Sequence, residues 1–256
     1  MERFVGLLIA AVVVATLLAS GGLLVARRVL PLQLFESHNP VLGHVFSVVS
    51  VLSGIVIAFM VVAVWERYTE AWDIAEHEAI ALVDLFRNAV AFPDPERKQL
   101  QDRIRRYAVA VKTDEWPAMA GGGTSQEALR AYNAIWREYL SLSPRTERER
   151  LWLEWSIERL DALDDQRNLR LIRSRVGLPA PMWVTLYVLS AVMLAFSYFF
   201  GISTLRVHLI VSGAIAAGLA LLLTLIWALQ HPFGTVAPIP PDALRDALTV
   251  FEQPPR

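Results

Sequence analysis

Four long apolar runs divide the chain, at residues 4–26, 41–65, 182–203 and 208–229. The inner two-thirds of each contains no Asp, Glu, Lys or Arg. A helix rises about 1.5 Å per residue, so about 20 apolar residues cross a hydrocarbon core of roughly 30 Å. The pattern predicts four transmembrane helices, two before and two after a polar block. Arg3 precedes the first run and Ala19-Ser20-Gly21 imitates a cleavage site, but apolar residues resume at Leu23. That run therefore reads as a span and not as a signal peptide.

The polar block, residues 66–181, shows helical periodicity throughout and no alternation of strand type. No Pro or Gly interrupts the chain between Trp65 and Phe92, so the second span is expected to continue into the block as one rod. Asp94-Pro95 predicts a helix start, with Ile104, Tyr107, Ala108 and Val111 on one face. Gly121, Gly122 and Gly123 form a loop, and Thr124 with Glu127 reads as a capping box. Ser143-Pro144 predicts a further helix reaching Arg175. The fold class expected is an all-α membrane protein with two plus two transmembrane helices flanking a helical cytoplasmic block. Its parts are residues 1–65, 66–181, 182–229 and a tail with a short helix at 230–256.

The second span carries the most information. At about 100° per residue, His44, Ser47, Val51, Gly54, Ala58, Val62 and Trp65 fall on one face about 80° wide, with Ile55 at its edge. This face is smaller and more polar than the rest of the helix. It reads either as a pore lining with an apolar middle or as a packing surface, since Ser50, Gly54 and Ala58 form a small-residue series. Ala11, Ala15 and Ala19 in the first span, and Gly213 with Ala217 or Ala214 with Gly218 in the fourth, read as packing. Beyond the second span, Glu66, Glu70, Asp73 and His77 share one face of the rod. They read as the lining of a cytoplasmic vestibule that attracts cations, or as a solvated stripe partly paired with Arg67 and Arg87.

Composition and charge narrow the function. Hydrophobic residues make up 55% of the 256 and charged residues 19%, against about a quarter charged in soluble domains. The net charge of −1 gives no field for nucleic acid, and the absence of cysteine excludes disulfides and thiolate chemistry. No span centre buries a carboxylate or lysine, which argues against a proton-driven motor or pump. The five histidines show no metal spacing, and neither a phosphate loop nor a nucleophile motif is present. The sequence reads as no enzyme, with no cofactor. Asp161, Asp164 and Asp165, and Glu76-His77-Glu78, read as surface groups. Arg3, Arg67, Arg167, Arg170, Arg173 and Arg175 on the side of the block, against Arg27, Arg28 and Arg206, predict that the block and both termini are cytoplasmic.

The stretch "GIVIAFMVVAVWERYTEAWDIAEHEAIALVDLFRNAVAF", with "DDQRNLRLIRSRVGLPAPMWVTLYVLS" and "WALQHPFG", resembles the bacterial bestrophin-like membrane proteins over about residues 40–250. Bestrophins are pentameric ion channels with cytoplasmic termini, in which the second helix lines and narrows the pore. The resemblance implies that Ser47, Val51 and Ile55 occupy the narrowing positions; Ser47 departs from the large apolar side chains usual there, and Val51 is smaller than them. The corner His231-Pro232-Phe233-Gly234 matches a turn after the last membrane helix of that family. In animal members an acidic run follows this turn and binds calcium; here no carboxylate precedes Asp242. The corner is therefore expected to anchor the tail to the cytoplasmic block. The expectation is a homo-oligomeric, pentameric ion channel of the cytoplasmic membrane, whose partners are the lipid bilayer, inorganic ions and copies of itself. The alternative is a non-conducting scaffold or sensor whose cytoplasmic block binds a partner.

Overall fold

The computed structural model describes residues 2–29 and 36–253. Among them every regular element is helical. Four helices are long and apolar enough to cross a membrane, and the chain is an all-α membrane protein. It divides into two compact units, residues 1–67 with 177–230, and residues 68–176 with 231–256.

The first unit holds α1 (Glu2–Val29), the first part of α2 (Asn39–Asn88), α7 (Ala180–Phe199) and α8 (Leu205–Leu229). Small residues set the approach of its helices. A Cβ on Gly213 of α8 would stand 3.3 Å from the Thr16 methyl of α1, and Ala19 is fully buried. Of the two small-residue series in α8, Gly213 lies at this seam while Ala214 is exposed. Gly22 is required by a close approach: the Tyr198 hydroxyl lies 2.8 Å from where its Cβ would be. That hydroxyl donates to the Ala19 carbonyl at 2.9 Å. Ile57 and Val64 of α2 pack with Leu186 of α7 and with Leu219 and Ile226 of α8. Gln230 closes the unit, its side-chain oxygen accepting from Leu178 N and Trp183 Nε1, each at 3.1 Å.

The second unit contains the rest of α2, then α3 (Glu96–Ala110), a π-helical turn at Val111–Glu115, α4 (Trp116–Met119), α5 (Gln126–Ser141), α6 (Glu147–Arg175) and α9 (Asp242–Glu252). The predicted apolar face of α3 is its core face: Ile104, Tyr107, Ala108 and Val111 are all fully buried. They meet Leu82 and Leu85 of α2, Ile135 and Tyr139 of α5, and Leu160 and Leu163 of α6.

Three helix starts differ from the expected ones. The cap of α5 is Ser125 and not Thr124, its side chain accepting from Ala128 N at 3.2 Å. The first intrahelical bond runs from Leu129 N to the Ser125 carbonyl at 3.1 Å, which puts Ser125 at the cap position, from which its side chain reaches the amide three residues on. α6 begins at Glu147 under Thr146, whose hydroxyl accepts from Glu149 N at 3.2 Å. Ser143-Pro144 therefore belongs to the preceding loop, and the Thr146/Glu149 pair supplies the stronger start. At α3, Pro95 stands at the cap position without a side-chain bond. Asp94 pairs instead with Arg97 at 3.0 Å and Lys98 at 3.1 Å.

Candidate functional site

α2 runs unbroken through 50 residues. In its membrane half, His44, Ser47, Val51, Gly54, Ile55, Ala58, Val62 and Trp65 are all exposed, whereas Ser53, Ile57 and Val64 are buried. A Cβ on Gly54 would meet nothing within 4 Å. The exposed side is wider than the stripe. Val41, Val45, Val48, Leu52 and Phe59 are exposed too, and at about 100° per residue they form an adjoining sector of large apolar groups. Half of the helix is thus uncovered by the described residues, and that half is divided into a sector where small or polar residues alternate with apolar ones and a uniformly bulky apolar one. The polar side chains turn back on their own backbone. Ser47 Oγ donates to the Gly43 carbonyl at 2.8 Å, and His44 Nδ1 to the Pro40 carbonyl at 2.7 Å. Such bonds make a hydroxyl and an imidazole tolerable at membrane depth.

Further along α2, Glu66, Glu70, Asp73 and His77 are exposed. Glu70 is paired with Arg173 at 2.5 Å, a partner from α6 and not the neighbouring arginines of its own helix. His77 Nδ1 donates to the Asp73 carbonyl at 2.8 Å.

At the corner, Gly234 N donates to the His231 carbonyl at 2.9 Å and Ile239 N to the Pro232 carbonyl at 2.7 Å. Phe233 is 2% exposed and lies edge-on to Trp116, with ring centroids 5.3 Å apart. Trp116 Nε1 donates to the Ile239 carbonyl at 3.0 Å. Leu244, Ala247 and Phe251 of α9 are buried, and Phe251 stacks on Phe86 at 4.4 Å.

The core of the second unit contains a charge network. Arg170, fully buried, donates from Nε and Nη2 to the two oxygens of Glu78 at 2.5 and 3.1 Å. Its Nη2 also reaches Glu115 at 2.8 Å. Arg167 takes the other Glu115 oxygen at 2.8 Å, and the Tyr107 hydroxyl donates to Glu78 at 2.6 Å. Burial alone would lower the Arg170 pKa, but the charge and hydrogen bonds of Glu78, with Tyr107 and Glu115, reverse this and hold it above the usual value. Burial, reinforced by Glu78, pushes the Tyr107 hydroxyl well above the ordinary tyrosine range. Two arginines against two carboxylates leave the network formally neutral, which is the condition for burying charge at all.

A match to the family model of the bestrophin-like domain extends over residues 13–244. The chain belongs to the bestrophin-like family. A comparison with curated protein sequences yields no match. Among solved structures, this bestrophin-like chain is similar to a single-site variant of a bacterial bestrophin homolog from Klebsiella pneumoniae. The two share 16% identity and a TM-score of 0.72, over 94% of this chain and 99% of that one. A second structure of a Klebsiella pneumoniae bestrophin homolog gives 18% identity and a TM-score of 0.68, over 95% and 99% of the two chains. At these identities the likeness is one of fold.

The sequence pattern assigns none of these charged residues to a buried network, and burial of Glu78, Arg167 and Arg170 corrects the roles expected of them. Glu78 reads as one member of a surface triplet, and Arg167 and Arg170 read as membrane-proximal charges. A signal was nevertheless present. Ala71, Ala75, Glu78, Leu82 and Leu85 recur at alternating spacings of four and three, as do Leu160, Leu163, Arg167, Arg170 and Ser174. Charged residues in register with a core stripe are core residues. Among the described residues, no three His, Asp or Glu side chains converge as metal ligands.

Proposed function

We propose that this bestrophin-like chain forms a homo-oligomeric ion channel, a pentamer, in the bacterial cytoplasmic membrane. One observation carries the reading: the exposed half of α2 in its membrane portion has one sector where small or polar residues (His44, Ser47, Gly54, Ala58) interrupt the apolar ones, and one that is uniformly bulky and apolar. In a ring, the bulky sector of Val48, Leu52 and Phe59 packs on neighbouring copies. The sector of Ser47, Val51, Gly54, Ile55 and Ala58 then faces the axis, with His44 at one end and Val62 and Trp65 at the other. Ions pass weakly polar groups, then an apolar zone around Val51 and Ile55 that gates by wetting and dewetting. Family membership supports the same assignment.

In this reading Glu66, Asp73 and His77 line the vestibule beyond the span, with Glu70 held to the wall by Arg173. His231, Pro232, Phe233 and Gly234 anchor the tail, with Phe233 as the apolar plug. The block and both termini lie in the cytoplasm. The arginine bias behind that orientation acts while the chain is being inserted, so the later burial of Arg167 and Arg170 does not cancel it.

Native mass measurement in detergent and flux from liposomes test the proposal together. A mass of five chains and passive flux of chloride, sodium or potassium down an imposed gradient are expected. A monomer, or a ring that passes none of the three ions, contradicts it.

A further inference from the structure

In the second unit a cavity of about 630 Å³ opens between the end of α2, one face of α3 and the end of α9. Its polar lining is cationic. Arg87, Arg97, Lys98 and Arg105 contribute four positive charges, Gln101 and Gln253 add amides, and no carboxylate lines it among the described residues. Its floor is the stacked pair Phe86 and Phe251. Arg105 is fixed over that floor, its guanidinium carbon 6.0 Å from the Phe86 ring centre and Nη2 donating to the Phe251 carbonyl at 2.7 Å.

We infer that this cavity binds an organic phosphate, with the phosphoryl group among Arg97, Lys98 and Arg87 and a flat or apolar body against Phe86 and Phe251. Three considerations select this class. Cations gathered on one concave wall meet an anion of high charge density better than a monovalent halide. The fork of an arginine matches phosphoryl oxygens in pairs. The volume and the apolar floor suit a ligand larger than inorganic phosphate. Asp94 stands just outside the lining and holds Arg97 and Lys98 at 3.0 and 3.1 Å. It therefore competes with the ligand for two of the four cations, and the ligand binds by displacing this carboxylate from them. The inference is independent of ion conduction.

The test is calorimetric titration of the full-length, detergent-purified protein with 1-naphthyl phosphate and, separately, inorganic phosphate. Saturable binding is expected, tighter for the naphthyl ester. The double variant Arg97→Gln with Lys98→Gln should weaken it about tenfold or more. Asp94→Asn should strengthen it about twofold to fivefold, the effect of releasing an exposed ion pair. The side chain of Lys98 is 72% exposed, so Lys98→Gln alone serves as the variant that keeps its fold, with affinity reduced at least about twofold. Absence of saturable binding, or affinity unchanged in Lys98→Gln and Asp94→Asn, overturns the inference. Repeating the titration in nanodiscs with and without anionic phospholipid separates the two sources of the phosphoryl group. Competition from the lipid identifies a headgroup, and its absence a soluble ester.

Discussion

Arg170 is the residue on which the second unit most depends. Its guanidinium is fully buried and bonded to Glu78, Glu115 and the Met119 sulfur. Arg170→Ala leaves two buried carboxylates with one remaining arginine, a loss of about 3–5 kcal/mol. Denaturant unfolding in detergent should register it as a large fall in midpoint; an unchanged midpoint contradicts the assignment. Lysine cannot replace the two-pronged contact. The buried tyrosines give a pH dependence of definite sign. Burial raises Tyr107, Tyr132 and Tyr139 above the ordinary value of 10.0. The unfolded chain releases these protons near pH 10 while the folded chain retains them. Their contribution is complete below that value and is lost as pH rises toward the folded pKa values. The share of tyrosinate absorbance contributed by these three should therefore develop together with loss of helicity above about pH 10; ionisation of these groups in a still-folded protein contradicts the burial. At this scale the sequence was legible where polarity matched location. It was not legible at Glu78, Arg167 and Arg170, because a charge in a core register is written with the same letter as a charge on a surface.

Elements were easier to read than residues. The apolar runs and the lack of helix breakers define α2 as one rod, and the face of Ile104 and Tyr107 orients α3. The starts of α5 and α6 shifted because neighbouring hydroxyls at Thr124 and Ser125, or at Ser143 and Thr146, offer rival caps. Which carbonyl accepts the first intrahelical bond, that of Ser125 in α5 and of Thr146 in α6, decides between them. The corner at Pro232 is legible as a turn, since proline ends the helix and Gly234 permits the chain to fold on His231. Its partner Trp116 is not legible, because it comes from a distant part of the chain. Phe233 fills that contact at 2% exposure. Phe233→Ala removes a buried ring and should cost about 3–5 kcal/mol, with the tail becoming sensitive to limited proteolysis. A variant whose tail stays protected and whose unfolding midpoint is unchanged refutes the anchoring role.

At the scale of the whole molecule, the hydropathy pattern gives four spans and a helical block, and the family match agrees with that architecture. Periodicity located the small-residue face of α2 but left two uses open for it. Two facts underlie the pore proposal: among the described residues nothing lies within 4 Å of a Cβ at Gly54, and a second exposed sector of bulky residues lies beside it. Neither fact is contained in a single helical projection, because both depend on where α7 and α8 cover the rod. The chain contains no cysteine, which offers a clean background for testing the pore assignment. Val51→Cys, reconstituted in liposomes, places one thiol on the proposed pore face, and Phe59→Cys places one on the bulky sector. A charged, water-soluble thiol reagent is expected to reduce ion flux through Val51→Cys and to leave Phe59→Cys unaffected. Flux through Val51→Cys that persists after its thiol is fully modified would contradict the claim that this face of the second helix is the ion path.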